Sequence, residues 1–334
     1  MVTEAQTREG KAIQRRTGRT FHLATRFLPA RVRRPTYVLY AFFRIADEVV
    51  DDPTPSSSEV QRERLERIRS VALGKEPPED EPILEAFAEI REDYGIPDTE
   101  VNAFIDAMVE DIEGDGPDTY EDLEEYMRGS AVAVGLMMCA IMQPADEQAA
   151  APHARALGEA FQLTNFLRDV REDVAEYGRV YLPEETLAAH GLTPASIIPG
   201  RSPPGLKGVM ELELERAEKK YRHGVAGIRY LPADCRFPVL LAAVLYAEYH
   251  AKIRAIDYDV LKTRPRLGTV TAMMLLVRTW LAYHRSDDPE ETFYRVSALA
   301  RESPNQSGSW LRKAVTRSLR APKLGSLLTS VRRK

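Results

Sequence analysis

Four aspartates in this sequence form two pairs, and the members of each pair are four residues apart. Asp47 and Asp51 form the first pair, and Asp169 and Asp173 form the second. Residues with this spacing lie one turn apart on the same face of an α-helix. One such pair alone is typical of a solvated helix surface. Two pairs instead favour a shared site for Mg²⁺, or alternatively Mn²⁺, because hard cations prefer carboxylate oxygens and also bind substrate phosphates.

Polar residues accompany each pair on its predicted helix. Tyr40 and Arg44 share a face with the first pair inside the apolar stretch YVLYAFFRIADEVVDD, so that helix is expected to be buried. Gln162, Asn165 and Arg168 accompany the second pair in QLTNFLRDVRED. A polar stripe on a buried helix costs free energy unless it faces a wet cavity or charged partners. Together with the arginines, the stripes predict a magnesium–diphosphate site.

The elements that would position these residues are helices. Apolar residues recur at three- and four-residue spacing along most of the chain, and strand-like alternation is nearly absent. Besides 37–52, the pattern predicts helices at 59–73, 82–94, 98–112, 120–142, 153–177, 207–230, 237–257 and 267–284. Since no composition break or internal repeat interrupts the pattern, we expect one all-α domain at residues 1–300, followed by a basic tail at residues 301–334.

The composition excludes several classes of enzyme. The chain has 334 residues and is 44% apolar, which is enough for a substantial core. Its two cysteines cannot form a four-thiolate zinc site or a disulfide framework, and its six histidines include no H-E-x-x-H motif. The sequence also lacks G-x-G-x-x-G, G-K-[ST] and G-x-S-x-G. Zinc hydrolysis, nucleophilic serine chemistry and dinucleotide chemistry therefore have no support.

The charge pattern bears on location. Residues 301–334 contain nine Lys or Arg and one acidic residue, so they could bind nucleic acid or an anionic membrane. Because no known nucleic-acid-binding motif is present, we expect no nucleic-acid partner. The least charged stretch, 131–142, is shorter than the roughly 18–20 residues that span a bilayer, and no secretion signal is evident. We expect a cytoplasmic protein whose tail packs on the domain or contacts the inner face of the membrane.

Both aspartate pairs lie in longer motifs that resemble those of the squalene and phytoene synthases, which join two prenyl diphosphates head to head. Asp47-Glu-Val-Val-Asp51 follows YAFFRIA, whereas Asp169-Val-Arg-Glu-Asp173 overlaps QLTNFLRD and precedes GRVYLP. The resemblance extends from about Thr17 to about Arg266. It implies the type I isoprenoid synthase fold, a single-domain helical bundle with a central active-site cavity.

The resemblance also implies a pocket helix that contacts the substrate. In the segment YMRGSAVAVG, the residues Tyr126, Ala131 and Gly135 match the tyrosine, alanine and glycine of that helix. Val132 and Ala133 replace the family's glycine and threonine. We therefore expect Tyr126, Ala131 and Gly135 to contribute to the site, with a local change in pocket width.

Residues near both ends of the similar region are implied to bind diphosphate. Thr20 and Phe21 resemble the Ser-Phe pair that lies near a diphosphate in the family. Tyr249 and Arg264 resemble the late tyrosine and basic residue that close the same end. The spacing there is about two residues short, so Arg266 is an alternative to Arg264.

By this resemblance, the expected activity is phytoene synthesis from two geranylgeranyl diphosphates through a cyclopropylcarbinyl diphosphate. Magnesium held by the four aspartates would help to ionise the first diphosphate, Arg44 and Arg168 would add positive charge, and Gln162 and Asn165 would orient ligands. Released diphosphate, with Tyr126 nearby, is the suggested proton acceptor. No NADPH requirement is expected.

Two alternatives stay open. The first is squalene or dehydrosqualene synthesis from two farnesyl diphosphates, because tunnel length cannot be read from the sequence. The second is a non-catalytic helical scaffold or assembly protein, although such a protein has no reason to keep four costly carboxylates. The sequence makes no prediction of oligomeric state.

Overall fold

The computed structural model describes residues 3–51, 57–114 and 116–299. Within these ranges the chain forms α-helices joined by short loops, turns and single-turn helical segments. The α-helices are α1 (Glu4–Thr17), α2 (Arg19–Thr25), α3 (Ala30–Val50), α4 (Ser58–Ala72), α5 (Pro82–Asp93), α6 (Asp98–Glu113), α7 (Tyr120–Met127), α8 (Val134–Met142), α9 (Glu147–Glu172), α10 (Glu184–Ala189), α11 (Leu206–Ala226), α12 (Ala233–Ala255), α13 (Thr269–Ser286) and α14 (Pro289–Val296). The basic tail at residues 301–334, with its predicted membrane contact, lies outside the described residues.

The helix that carries the first aspartate pair is longer than predicted. Helix α3 begins at Ala30 and ends at Val50, with Asp51 at its C-terminal cap. Eleven of its residues are buried, including Phe42, which stacks on Phe87 of α5 with ring centroids 3.8 Å apart. Burial of this apolar surface holds α3 in the core and fixes the direction in which its polar stripe points.

The helix that carries the second pair changes its winding at the site. Helix α9 runs from Glu147 to Glu172, and Asp146 caps its start by accepting a hydrogen bond from the Ala149 amide. The chain then continues as a π-helical segment, Asp173–Tyr177. Such segments occur frequently at functional sites, and here Asp173 lies at the junction.

A second π-helical segment divides the predicted helix 120–142. Helix α7 continues through Arg128–Ala133 into α8. Close packing explains the composition of this region: a Cβ on Gly135 would lie 2.6 Å from the Ala154 carbonyl oxygen of α9. A Cβ on Gly158 would likewise lie 2.5 Å from the Ala131 carbonyl oxygen. Two glycines therefore allow α8 and α9 to cross at backbone contact distance.

The helices enclose a cavity of about 270 Å³ between α2, α3, α8, α9 and α12. Its lining is predominantly apolar and runs from Gln162 and Asn165 at the polar face of α9 to Leu28, Leu231 and Pro238. This arrangement confirms the predicted all-α helical fold with a central cavity. Among the described helices, none combines the length and hydropathy needed to cross a membrane.

Candidate active site

The first aspartate pair lies at the C-terminal end of α3. Arg44 donates a hydrogen bond of 3.0 Å to Oδ2 of Asp47, and its Nε is buried with no partner in the described residues. Asp51 lies 3.4 Å from a guanidinium nitrogen of Arg179. Burial raises the pKa of Asp47 to about 7, against the attraction of Arg44 and with a further contribution from Asp51. This end of α3 is therefore short of positive charge when both aspartates are ionised.

The second pair is held by two arginines. Arg168 donates hydrogen bonds to both carboxylate oxygens of Asp169, and Arg264 donates to Oδ1 of the same group at 2.8 Å. Although burial opposes its charge, Asp169 raises the pKa of Arg168, which therefore stays cationic. Burial raises the pKa of Asp173 to about 8, and the nearby charges of Asp169 and Glu172 add to the effect.

The two pairs face common neighbours. Arg179, which follows the π-helical segment, contacts Asp51 and also lowers the pKa of Asp173 by its charge. Burial raises the pKa of Tyr177, and the charges of both Asp51 and Asp173 raise it further. In the part of the chain that the structure describes, no three His, Cys, Asp or Glu side chains converge on one point where a metal could bind. The two pairs are thus separate half-sites that are linked through their common neighbours Arg179 and Tyr177.

The donor set at this region fits magnesium. The buried Oδ1 of Asn165 lacks a hydrogen-bond partner among the described residues, and Asn165 lies one turn before Asp169. Asp47 and Asp173 also carry raised pKa values, which a bound cation would reverse. Oxygen atoms from aspartate and asparagine are the ligands that Mg²⁺ prefers. The residues present therefore suit a divalent cation that is also coordinated by phosphate.

Residues predicted from opposite ends of the sequence meet beside this region. Thr20 Oγ1 lies 3.4 Å from the hydroxyl of Tyr249, and the guanidinium of Arg168 lies 4.9 Å from the centroid of the Tyr249 ring. Tyr40 lies 3.0 Å from Thr17 through their hydroxyl oxygens. The structure thus places α2, α3, α9 and α12 around one cationic pocket.

The cavity extends from the polar region, and several predicted residues line it. These residues are Phe21, Tyr40, Ala131, Gly135, Gln162 and Asn165. Val132 and Ala133, where the sequence departs from the family pattern, are buried but are not among the described residues that line the cavity. These two side chains therefore do not themselves form the described wall of the cavity.

The sequence did not single out the partner of Tyr126. The Tyr126 hydroxyl donates to Oδ2 of Asp111 at 2.9 Å, and the Tyr181 hydroxyl donates to Oδ1 at 3.1 Å. Arg179 donates to the backbone carbonyl of Asp111 at 3.0 Å. Burial raises the pKa of Asp111. Asp111 lies within an acidic stretch, so its residue type alone did not distinguish it from its neighbours as a site residue. Its other partners, Arg179 and Tyr181, lie in the GRVYLP segment, which the sequence analysis did identify.

The fold and site define an α-helical protein with an apolar cavity that ends at paired carboxylates and arginines. Residues 14–271 match the squalene/phytoene synthase family, and the chain belongs to this family of prenyltransferases. The resemblance seen in the sequence is thereby confirmed.

Individual relatives agree with this assignment. The phytoene synthase of Rhodobacter capsulatus is 34% identical over 268 residues, which cover 79% of this chain and 78% of the relative. The chloroplastic phytoene synthase of Daucus carota is 32% identical over 86% of this chain and 72% of its own. A crystal structure of a dehydrosqualene synthase in complex with a ligand superposes with a TM-score of 0.74 at 27% identity, covering 83% of this chain and 97% of that chain.

Proposed function

We propose that the protein is a phytoene synthase, which condenses two geranylgeranyl diphosphates head to head through a cyclopropylcarbinyl diphosphate. The observation that carries the proposal is similarity to phytoene synthases from bacteria and plants over most of the chain. The site agrees chemically, because an apolar cavity leads to a region of carboxylates and arginines, as a prenyl chain with a diphosphate requires.

The polar region binds and activates the diphosphates. Asp47, Asp51, Asp169 and Asp173 would hold Mg²⁺, or Mn²⁺ in its place, and the bound metal would neutralise charge on the departing diphosphate. Arg44, whose Nε is buried without a hydrogen-bond partner among the described residues, is assigned to adding positive charge near the diphosphate. The remaining binding residues are assigned to orienting the substrates and closing the diphosphate end, and they are Thr20, Phe21, Tyr40, Gln162, Asn165, Arg168, Tyr249 and Arg264.

A cluster of aromatic side chains at the cavity is suited to stabilise the proposed allylic cation. The rings of Phe21 and Tyr246 lie 4.5 Å apart, and Phe161 lies 5.4 Å from Phe21 and 4.9 Å from Tyr246. Aromatic faces attract cations, and the surrounding apolar lining keeps out water that would quench the cation. This cluster therefore protects the intermediate until the second prenyl chain attacks it.

The final proton must leave the hydrocarbon cation. Burial raises the pKa of Tyr126, and its hydroxyl donates its one proton to a hydrogen bond with Asp111, so Tyr126 stays neutral and does not itself take the proton. We assign the role of proton acceptor to the released diphosphate, which has free oxygens and lies in the same polar region. No nicotinamide cofactor takes part in this sequence of steps.

The location of the enzyme follows from its substrates. Geranylgeranyl diphosphate carries a long apolar chain, and phytoene is wholly apolar, so both partition into a bilayer. We therefore infer a cytoplasmic protein in peripheral contact with the inner face of an anionic membrane.

A second candidate is dehydrosqualene synthesis from two farnesyl diphosphates, favoured by the structural similarity to a dehydrosqualene synthase. The two functions differ in the chain length that the cavity accepts. A scaffold without activity is disfavoured because the costly carboxylates and an unpaired Arg44 nitrogen would have no purpose.

Product analysis tests the proposal. Purified protein is incubated with Mg²⁺ and either geranylgeranyl or farnesyl diphosphate, with and without NADPH, and the hydrocarbon is identified by chromatography and mass spectrometry. We expect phytoene from geranylgeranyl diphosphate without any reductant. Strong preference for farnesyl diphosphate would assign the second candidate, and no hydrocarbon from either substrate would support the scaffold.

A further inference from the structure

One helix of the domain exposes a continuous apolar face. Six large apolar residues of α13 have 40–82% of their surface exposed. They are Val270, Met273, Met274, Val277, Trp280 and Leu281. At 100° per residue they occupy a sector of about 120° that extends over three turns. This face is contiguous, whereas the other exposed large apolar residues in the described ranges are distributed over separate elements.

The opposite face of the same helix holds it on the domain. Leu275, Thr279, Ala282 and Tyr283 are buried against the neighbouring helices. Packing of these four residues therefore fixes the orientation of α13 and keeps its outward face toward solvent. Contiguous apolar surface of this extent is typical of an interaction site.

The charges on this helix suit an anionic surface. Helix α13 contains no Asp or Glu, and Arg278 and Arg285 are exposed along one edge of the apolar face. Trp280 stacks against His284 with ring centroids 4.4 Å apart. Tryptophan beside basic residues on an apolar helix face is the composition of a helix that lies in a membrane interface.

The buried side of α13 packs near the far end of the cavity. Phe237 of α12 lies 6.0 Å from Tyr283 of α13 and 5.6 Å from the exposed ring of Phe27, measured between ring centroids. The chain neighbours of these phenylalanines, Leu28 and Pro238, line the cavity end opposite the aspartates. Helix α13 therefore lies between its own outward face and the apolar end of the cavity.

We propose that the outward face of α13 docks on an anionic phospholipid bilayer, so that the apolar end of the cavity, on the buried side of this helix, is held close to the membrane. The inference deepens the proposed function, since it names the surface through which an enzyme of apolar substrates meets lipid. Arg278 and Arg285 contribute attraction to the headgroups, and the six apolar side chains enter the interface.

A second copy of this chain is a poorer partner for the face. In a two-fold symmetric dimer this face would pack on the same face of the second copy, and α13 offers no carboxylate there to pair with Arg278 or Arg285. A bilayer presents phosphate groups to these arginines instead. Charge complementarity therefore favours lipid.

Vesicle binding of the full-length chain without substrate tests the inference. In a Trp310→Phe background Trp280 is the single tryptophan, because the chain has two. We expect blue-shifted Trp280 fluorescence that is quenched by brominated lipid in phosphatidylcholine vesicles containing phosphatidylglycerol. The pair Met273→Glu and Val277→Glu should weaken binding by at least about tenfold, because two charges enter the apolar interface.

A matched control carries the same added charge elsewhere. Val60→Glu with Ile198→Glu alters two apolar residues that are similarly exposed on other elements, and it should bind as the parent does. Arg278→Gln with Arg285→Gln should weaken binding to anionic vesicles and leave weak binding to neutral vesicles unchanged. Circular dichroism confirms that each variant is folded.

Three outcomes would overturn the inference. The first is an absence of vesicle binding at low salt, and the second is equal binding by the α13 variant and the control. The third is concentration-dependent dimerisation that the α13 variant abolishes while Trp280 stays unquenched by lipid, which would assign the face to a second copy. Because no substrate is present, none of these outcomes depends on whether phytoene is the product.

Discussion

The hydroxyl of Tyr126 donates a hydrogen bond of 2.9 Å to Oδ2 of Asp111, although the two residues lie on different helices. The other oxygen of the same carboxylate accepts from Tyr181 at 3.1 Å. The Asp111 carboxylate thus accepts hydrogen bonds from two tyrosine hydroxyls, although burial raises its pKa. Retaining such a charge costs stability, so the arrangement is better explained by positioning of Tyr126 than by stabilisation of the fold.

Replacement of Asp111 should therefore lower the activity without lowering the stability of the fold. In Asp111→Asn the charged acceptor is lost, and hydrogen bonds to charged groups contribute about 1.5–3 kcal/mol. We expect kcat to fall by at least about tenfold with little change in KM, while the melting temperature is maintained or raised. Steady-state kinetics and thermal unfolding provide the two measurements.

The matched control is Asp106→Asn, which changes an exposed aspartate of the same helix that pairs with Arg69. Its activity should be close to that of the parent. Combining Asp111→Asn with Tyr126→Phe should cost less than the sum of the single changes, because both act on one hydrogen bond. Strict additivity, or a parallel loss of stability and activity, would show that Asp111 serves the fold alone.

Removal of one charge from either aspartate pair should abolish most of the turnover. Asp47→Asn or Asp169→Asn keeps the shape of the side chain but weakens a ligand of the proposed metal, and loss of a major electrostatic element costs at least about a hundredfold in kcat. The raised pKa of Asp47 means that Asp47→Asn should not destabilise the metal-free fold. Assays over a range of Mg²⁺ concentrations test this, with the exposed Glu59→Gln as control. Near-normal turnover of both variants in saturating Mg²⁺ would contradict the assignment of the metal site.

The helical fold could be predicted because apolar periodicity is a local property of the sequence. The ends of the helices were harder to predict, since they depend on contacts made elsewhere. Helix α3 extends back to Ala30 through Pro35, which the sequence pattern treats as a boundary. The π-helical turn at Arg128–Ala133 divides the predicted helix 120–142, and Gly129 packs there against α6, where a Cβ would lie 2.2 Å from the Ala103 carbonyl oxygen.

The paired aspartates could be located because their spacing is local, whereas the partner of Tyr126 could not. Asp111 is one of many acidic residues in its region, and only folding selects it as the acceptor for Tyr126 and Tyr181. The outward face of α13 could not be predicted from the sequence either. That helix is apolar on nearly every side, so its sequence does not indicate which side the domain buries.

Because α8 and α9 cross at backbone contact distance, we expect one added methyl group to lower the free energy of unfolding. In Gly135→Ala the new Cβ meets the Ala154 carbonyl oxygen, which belongs to the backbone and cannot rotate away. We expect a loss of roughly 1–3 kcal/mol in the free energy of unfolding, as for other overpacked sites, together with lower activity because Gly135 lines the cavity. Gly158→Ala should behave similarly. Denaturant unfolding measures the effect against Gly268→Ala, where the added Cβ meets nothing within 4 Å, and equal stability of all three variants would contradict the close crossing.

A buried histidine contributes to the pH dependence of stability. The His250 ring lies between Thr164, 3.0 Å from its Nε2, and Glu218, 3.3 Å from its Nδ1. Burial lowers the pKa of His250 below its ordinary value of 6.5, although Glu218 opposes the shift, and Arg254 shares that carboxylate. The folded state therefore keeps the ring neutral at a pH where the unfolded chain binds a proton.

The contribution of His250 to stability should consequently decrease as the pH falls below about 6.5, by at most about 1.4 kcal/mol per pH unit from this one proton, whereas the raised pKa values of Asp47 and Asp173 act in the opposite direction. The loss levels off only below the depressed pKa of the folded state, and below pH 4.5 the lowered pKa of Glu218 adds a further loss as that group is protonated. His250→Gln retains polar atoms for Thr164 and Glu218 but binds no proton, so its free energy of unfolding should change less between pH 7 and pH 5. Urea unfolding at a series of pH values measures the difference. His284→Gln, at an exposed position on α13, should leave the parent profile unchanged, whereas identical profiles for His250→Gln and the parent would assign the acid sensitivity to other groups.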